Sequence, residues 1–184
     1  MSYAVCLFCG ARAGNDPLFE QIAFDLGQGI AQRGWKVIYG GGRIGLMGAA
    51  ARGALSVGGQ VVGIIPQRLL EREQGMLEAS ELIVTTTLRQ RKALMEDRAD
   101  AFIALPGGIG TLEELIEIMT LKQLGFHRKP IVLVNIRGYY DPLVTLLYHM
   151  IGQGFLRPDH TTLYALTDSV DEALSLVAQE AKGE

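Results

Sequence analysis

Six short apolar runs, separated by stretches of helical periodicity, confine this chain to one class of architecture. The runs are 4–8 (AVCLF), 36–39 (KVIY), 61–65 (VVGII), 82–85 (LIVT), 101–105 (AFIAL) and 131–134 (IVLV). They are apolar at successive rather than alternate positions, as strands are when helices cover both faces of a parallel sheet. Between them, 16–33, 46–57, 88–98, 111–124 and 142–152 read as helices. A last helix over 170–182 follows the N-cap candidate Ser169, and a weaker strand is expected at 162–166. The alternation predicts an α/β fold: a doubly wound parallel sheet, Rossmann-like, in a single domain spanning residues 1–184. The charged, irregular stretch 67–80 is expected to form a loop or short helix over the sheet.

Composition narrows the partners. A net charge of −3 argues against a sequence-independent grip on nucleic acid, which needs a basic surface. No apolar run approaches the roughly 20 residues of a membrane helix. The N-terminus lacks the basic start of a signal peptide, and Cys6 and Cys9 are too few for a disulfide scaffold. The expectation is a cytoplasmic protein that binds neither nucleic acid nor membrane.

Much of the glycine lies in three clusters, each following an expected strand: 10–14 (GARAG), 40–48 (GGGRIGLMG) and 107–110 (GGIG). In doubly wound folds ligands bind outside the carboxyl ends of the strands. Glycine there lets backbone approach a ligand, and a helix start just behind offers free N–H groups to phosphate. Any one cluster could be only a tight turn; three at one edge favour a phosphate-bearing ligand. The stretch 40–45 fits G-x-G-x-x-G, but the next strand ends Ile64-Ile65-Pro66-Gln67, without the acid that would bind a ribose hydroxyl, so NAD is disfavoured. No G-x-x-x-x-G-K-[ST] occurs, which excludes a P-loop NTPase.

The strongest signal is Pro106-Gly107-Gly108-Ile109-Gly110-Thr111-Leu112-Glu113-Glu114. Thr111 is placed at a helix start, where its hydroxyl and the loop amides can hold phosphate. On the helical wheel Leu112, Leu115, Ile116 and Met119 form the expected core stripe, and Glu113 and Glu117 share the polar side. Glu114 falls on a partly apolar row, one turn in and beside the cradle, which suits a carboxylate aimed at a ligand better than one that only complements the helix dipole. In the helix before, Leu88, Leu94, Met95 and Ala99 are expected inward. Arg91 falls inside that apolar sector with Lys92 at its edge. An inward arginine needs an anionic partner: a structural carboxylate or, in a functional site, a ligand phosphate or Glu114. Arg98, at the helix end, is expected to cap carbonyls.

These motifs together resemble the LOG-type family, the cytokinin riboside 5′-monophosphate phosphoribohydrolases long described as lysine decarboxylases. The resemblance spans nearly the whole chain. It rests on Phe8-Cys9-Gly10, on Tyr39-Gly40-Gly41-Gly42 with Gly45-Leu46-Met47-Gly48, on Arg91-Lys92, and on P-G-G-x-G-T-x-x-E at 106–114. Gln123-Leu124-Gly125, Lys129-Pro130 and Gly138-Tyr139-Tyr140-Asp141 also look like the family. The resemblance implies hydrolysis of a nucleoside 5′-monophosphate to free base and ribose 5-phosphate, without cofactor or metal, by a homodimer. It implies Arg91 and Glu114 as catalytic residues. It further implies Gly107, Gly108, Gly110 and Thr111 at the phosphate, Lys92, Glu113, Gly41 and Gly42 as further substrate contacts, and Glu73 more loosely. The chain departs from the family's usual Ser pair at Ala11-Arg12 and from its usual Met-His at Leu88-Arg89.

Other chemistries find less support. In Cys6-Leu7-Phe8-Cys9 the two thiols point to opposite faces of a strand, and structural burial suits them better than a metal site. His127, His149 and His160 have no metal-ligand spacing. No motif marks a Schiff-base lysine for decarboxylation. The rival reading is a non-catalytic nucleotide or cofactor carrier on the same fold, which would keep the glycine cradle and need no Arg91–Glu114 pair.

Overall fold

A computed structural model describes residues 2–70 and 75–180. Seven parallel strands form one sheet: β1 (Ala4–Phe8), β2 (Lys36–Tyr39), β3 (Gln60–Pro66), β4 (Glu81–Thr85), β5 (Ala101–Ala104), β6 (Ile131–Val134) and β7 (Ala165–Thr167). Their order is β4-β3-β2-β1-β5-β6-β7. The chain therefore builds outward from β1 in one direction, returns, and builds outward from β5 in the other. The β1–β5 pair, in register from Val5 with Ala101 to Phe8 with Ala104, is the switch point of the topology.

The helices are α1 (Pro17–Gln32), α2 (Gly45–Ser56), the short α3 (Gln67–Leu70), α4 (Leu88–Arg98), α5 (Ile109–Gln123), α6 (Asp141–Gly152) and α7 (Val170–Glu180). Their starts follow local chemistry. Asp16 accepts from the Leu18 amide at 2.9 Å with Pro17 behind it, Thr87 accepts from the Gln90 amide at 3.1 Å, and Ser169 accepts from the Glu172 amide at 3.3 Å. The weak seventh strand lies later than the sequence suggested. Residues 158–163 form a 3₁₀ turn first, and only Ala165–Thr167 pair with β6.

Successive residues of each strand supply two different cores. Val5, Leu7 and Cys9 pack with Leu26, Ile30, Ala50 and Leu174 under α1, α2 and α7. Ala4, Cys6 and Phe8 pack with Met95, Leu115, Ile118 and Met119 under α4 and α5. The two thiols thus sit on opposite faces, both buried and unpaired.

Helices α1 and α2 cross unusually closely. A Cβ built on Gly27 would fall 1.9 Å from the Ala50 carbonyl oxygen, and one on Gly53 would fall 2.0 Å from that of Phe24. This contact gives a test with a definite sign. In an uncrowded helix, Gly53→Ala would stabilise by about 1 kcal/mol through propensity. Here the added methyl must push two backbones apart, and a net loss of about 1–3 kcal/mol is expected, read as a lower urea midpoint. A raised midpoint would contradict the packing described.

Candidate active site

The switch point brings the first and third glycine clusters together and leaves the second one strand away. Gly10, just past β1, ties them. Its N–H donates to the Pro106 carbonyl at 3.1 Å, and a Cβ on it would lie 3.4 Å from the Gly107 Cα. Its own carbonyl accepts from the Leu46 amide at 3.0 Å and the Met47 amide at 3.3 Å. Gly10 thereby caps the start of α2, which has no side-chain cap of its own. The helix start that follows the G-x-G-x-x-G stretch consequently spends its Leu46 and Met47 amides on the protein's backbone.

The start of α5 differs. The helix begins at Ile109, two residues before the expected Thr111, with Gly108 at the N-cap and no side-chain cap. The first-turn amides of Ile109, Gly110 and Thr111 have no intrahelical acceptor, and the end of the macrodipole adds partial positive charge. A Cβ on Gly108 or Gly110 would meet nothing within 4 Å, so these amides stand beside open space. Gly107 has another role: a Cβ there would fall 2.1 Å from Thr111 Oγ1, so its bare Cα makes room for the buried threonine hydroxyl. Gly107, Gly108, Gly110 and Thr111 all line one cleft of about 710 Å³, together with Arg91 and Glu114.

Arg91 comes from α4, one turn past its Thr87 cap, and Glu114 from α5, one turn past the glycine loop. They are 8% and 7% exposed, and Arg91 Nη2 donates to Glu114 Oε1. Of the partners open to the inward arginine, Glu114 is the one the fold brings to it. Arg91 Nε is buried without a hydrogen-bond partner among the described residues. Gly40 packs beside the pair: a Cβ there would crowd Met47 Sδ at 3.0 Å and meet Arg91 Nη1 at an ordinary contact distance of 3.5 Å.

The helical wheels need correction in part. On α5 the buried side chains are Thr111, Glu114, Leu115, Ile118 and Met119, whereas Leu112 and Ile116, expected in the core, are exposed. The stripe centres on Leu115 and Ile118, which face the sheet and leave the flank carrying Leu112 and Ile116 uncovered. On α4, Met95 and Ala99 face inward as expected, but Leu88, in the first turn, is exposed. Arg98, expected to cap carbonyls, pairs instead with exposed Glu81 at 3.0 Å.

The remaining candidates fall elsewhere. Lys92 donates to Glu113 and lies 2.7 Å from Glu117, and none of the three belongs to the cleft lining. Burial works to lower the Lys92 pKa, but its hydrogen bonds to Glu113 and Glu117 outweigh this and hold it above the usual value. Gly41 and Gly42 also lie outside the described lining. Gly41, at φ +80°, packs where a Cβ would be 2.9 Å from Ile65 Cβ, and Gly42 bridges to Gly75. They follow β2, beyond the switch point. Glu73 lies outside the described residues.

Several lining residues carried no role in the sequence reading. Tyr139 donates its hydroxyl to the Gly107 carbonyl, and buried Tyr140 donates to the Leu105 carbonyl at 2.7 Å. The Tyr139-Tyr140 pair, just past β6, therefore props the third glycine loop. Phe19 meets Tyr139 edge-on at 6.2 Å, and both line the cleft with Arg12. The signal for them was topological: β6 neighbours β5, so the segment leaving β6 stands beside the segment leaving β5. Cys9 also reaches the cleft, but burial first and the Glu114 charge second push its thiol pKa far up, so it stays protonated and is no nucleophile.

A concave site with bare helix amides at one end and a buried carboxylate–guanidinium pair beside them can hold a phosphate monoester and act on the carbon skeleton attached to it. Among the described residues no three His, Cys, Asp or Glu side chains converge as for a metal ion, and no helix is long and apolar enough to cross a membrane.

Comparison with known proteins identifies the family and the fold. A family model described as "possible lysine decarboxylase" matches residues 47–177. The cytokinin riboside 5′-monophosphate phosphoribohydrolase of Mycobacterium tuberculosis is 43% identical over 176 residues, covering 96% of this chain and 94% of its own. The enzyme of that name LOG7 of Arabidopsis thaliana is 44% identical over 154 residues, 84% of this chain and 71% of its own. A probable member, LOGL1 of Oryza sativa subsp. japonica, is 42% identical over 175 residues, 95% of this chain and 78% of its own. Among solved structures, the Moco carrier protein of Chlamydomonas reinhardtii superposes with a TM-score of 0.77 at 21% identity, each chain fully covered. The molybdenum cofactor binding protein of Rippkaea orientalis gives 0.76 at 21% identity, with 99% of each chain covered. At that identity the likeness is one of fold.

The two ion pairs on α5 should differ sharply in stability. Glu114→Ala strands a buried guanidinium and is expected to cost about 2–4 kcal/mol, moderated by water in the cleft. Glu113→Ala breaks a pair whose carboxylate side chain is 54% exposed, and less than about 1 kcal/mol is expected. Urea denaturation of the two variants checks this; equal losses would contradict the assignment of burial.

Proposed function

The chain belongs to the LOG-type family, the cytokinin riboside 5′-monophosphate phosphoribohydrolases, and on that premise we propose that it hydrolyses the N-glycosidic bond of a purine nucleoside 5′-monophosphate. AMP and N6-modified AMP are the substrates in view; the products are the free base and ribose 5-phosphate. The observation that carries this reading is the buried Arg91–Glu114 pair one helical turn from the bare amides of α5.

Glycosidic cleavage passes through a state in which positive charge develops at the anomeric carbon. The α5 amides and Thr111 hold the 5′-phosphate, which fixes the sugar relative to α5 and brings the anomeric carbon to Glu114. The carboxylate stabilises the developing charge or activates the water that attacks C1′. That water's oxygen becomes the C1′ hydroxyl, and a proton ends on the departing base nitrogen. The Arg91 guanidinium orients Glu114 through its hydrogen bond to the carboxylate. A carrier on the same fold would need the amides but not this pair, and the carrier-like neighbours speak only to fold.

The expected assembly is a homodimer. The exposed apolar side chains favour α5 and α6 for the interface. Leu112 and Ile116 on α5 and Leu146, Tyr148 and Met150 on α6 are exposed, whereas α4 shows only Leu88. Light scattering at micromolar concentration should give twice the chain mass, and Tyr148→Glu with Ile116→Asp should halve it; a monomeric wild type would refute the dimer. The unpaired thiols Cys6 and Cys9 suit a reducing compartment, and the cytoplasm is the proposed location.

The reading is tested at Glu114. Glu114→Gln keeps the amide cradle and a hydrogen-bond acceptor for Arg91, so AMP affinity by calorimetry should stay within a few-fold. Free-base release should fall by about 10²–10⁴. Near-wild-type turnover would remove the carboxylate from the chemistry.

A further inference from the structure

We propose that Arg12 is a specificity-determining residue that selects the nucleotide over the nucleoside by supplying the full positive charge the phosphate cradle otherwise lacks. The proposal rests on the function just given, and deepens it at the same cleft.

Charge in the cleft is out of balance without it. A phosphate monoester carries about −1.5 to −2 near neutral pH, while the start of one helix offers the equivalent of roughly +0.5. Thr111 and the loop amides are neutral. The start of α2 is not available, because its Leu46 and Met47 amides are bound by the Gly10 carbonyl. Glu114 adds a negative charge to the same cleft. Of the cations, Arg91 is paired with Glu114, and Lys92 is held by Glu113 and Glu117 outside the lining. Arg12 is the remaining cation of the described lining, and it forms no salt bridge with any described residue.

The backbone fixes where this charge stands. Gly45, at φ +62°, lacks the Cβ that would lie 2.4 Å from the Ala11 carbonyl carbon and 2.5 Å from the Arg12 nitrogen. Gly10 lacks the Cβ that would lie 2.9 Å from the Arg12 carbonyl oxygen. The Ala11–Arg12 peptide is thus packed against the first residue of α2 and beside the glycine that touches Gly107. An exposed guanidinium carried on an ordered peptide at the phosphate end of the cleft meets a ligand phosphate without desolvating a buried charge. The two glycine contacts are what make the loop more than a surface turn.

Calorimetry with AMP and with adenosine on wild type, Arg12→Ala and Arg12→Lys provides the test, together with kcat and KM for AMP. Loss of a charge-assisted contact predicts AMP affinity about 10- to 100-fold weaker in Arg12→Ala, with adenosine affinity changed by less than about 2-fold. KM for AMP should rise while kcat stays within about 3-fold, since the contact is held equally in ground and transition states. Arg12→Lys should recover most of the AMP affinity, and added salt should weaken AMP binding less in Arg12→Ala than in wild type. Parallel losses for AMP and adenosine would overturn the proposal and assign Arg12 to the base. Unchanged AMP affinity, or a wild type that does not prefer AMP to adenosine, would also overturn it. The binding comparison needs no turnover, so a wild type that binds AMP and releases no base would refute the hydrolase reading and leave Arg12 separately decided.

Discussion

The cleft depends on the backbone of Gly10. Its N–H donates to the loop after β5 and its carbonyl accepts from the first amides of α2, so the three glycine clusters are locked into one arrangement. The consequence is an asymmetry between two helix starts that look alike in sequence. The α2 start is capped by protein and closed to ligand. The α5 start is left with bare amides, because Gly108 caps it without a side chain and Gly110 covers nothing. Backbone amides that no described protein group accepts from, at the mouth of a cleft, are the physical basis on which anion binding is proposed here. In the proposed function, the buried carboxylate of Glu114, one turn along the same helix, couples that anion site to chemistry on the molecule the anion belongs to.

The fold was legible almost entirely in the apolar runs, because strands covered on both faces leave a signal that no exposed face dilutes. Six of the seven strands stand within two residues of where the runs put them. The seventh, short and at the sheet edge, was displaced by a 3₁₀ turn that the sequence did not mark. Arg91 and Glu114 were legible because a charged residue on an apolar helical row has few explanations. Leu112 and Ile116 misled for the complementary reason: apolar residues on a helix read as core, and periodicity cannot tell core from an uncovered flank. The roles of Tyr139, Phe19 and Gly40 were not legible, since each depends on which strands become neighbours. That same topology, with its switch at β1 and β5, moves Gly41 and Gly42 away from the cleft despite their fingerprint spacing.

The fold is shared with molybdenum cofactor carriers at about a fifth identity, so it does not by itself separate carriage from catalysis. A buried ion pair opening into a ligand cleft contributes little net stability relative to apolar packing of the same volume. Retaining Arg91 and Glu114 against that desolvation cost fits a site where the charge is used.

The most direct test of that claim is the fate of AMP in ¹⁸O-labelled water, tracked by mass spectrometry of every product. The account predicts adenine and ribose 5-phosphate in equal amounts, with the label on the anomeric hydroxyl of the sugar at early times. AMP recovered intact after saturating binding, or label appearing in inorganic phosphate with adenosine as co-product, would contradict it.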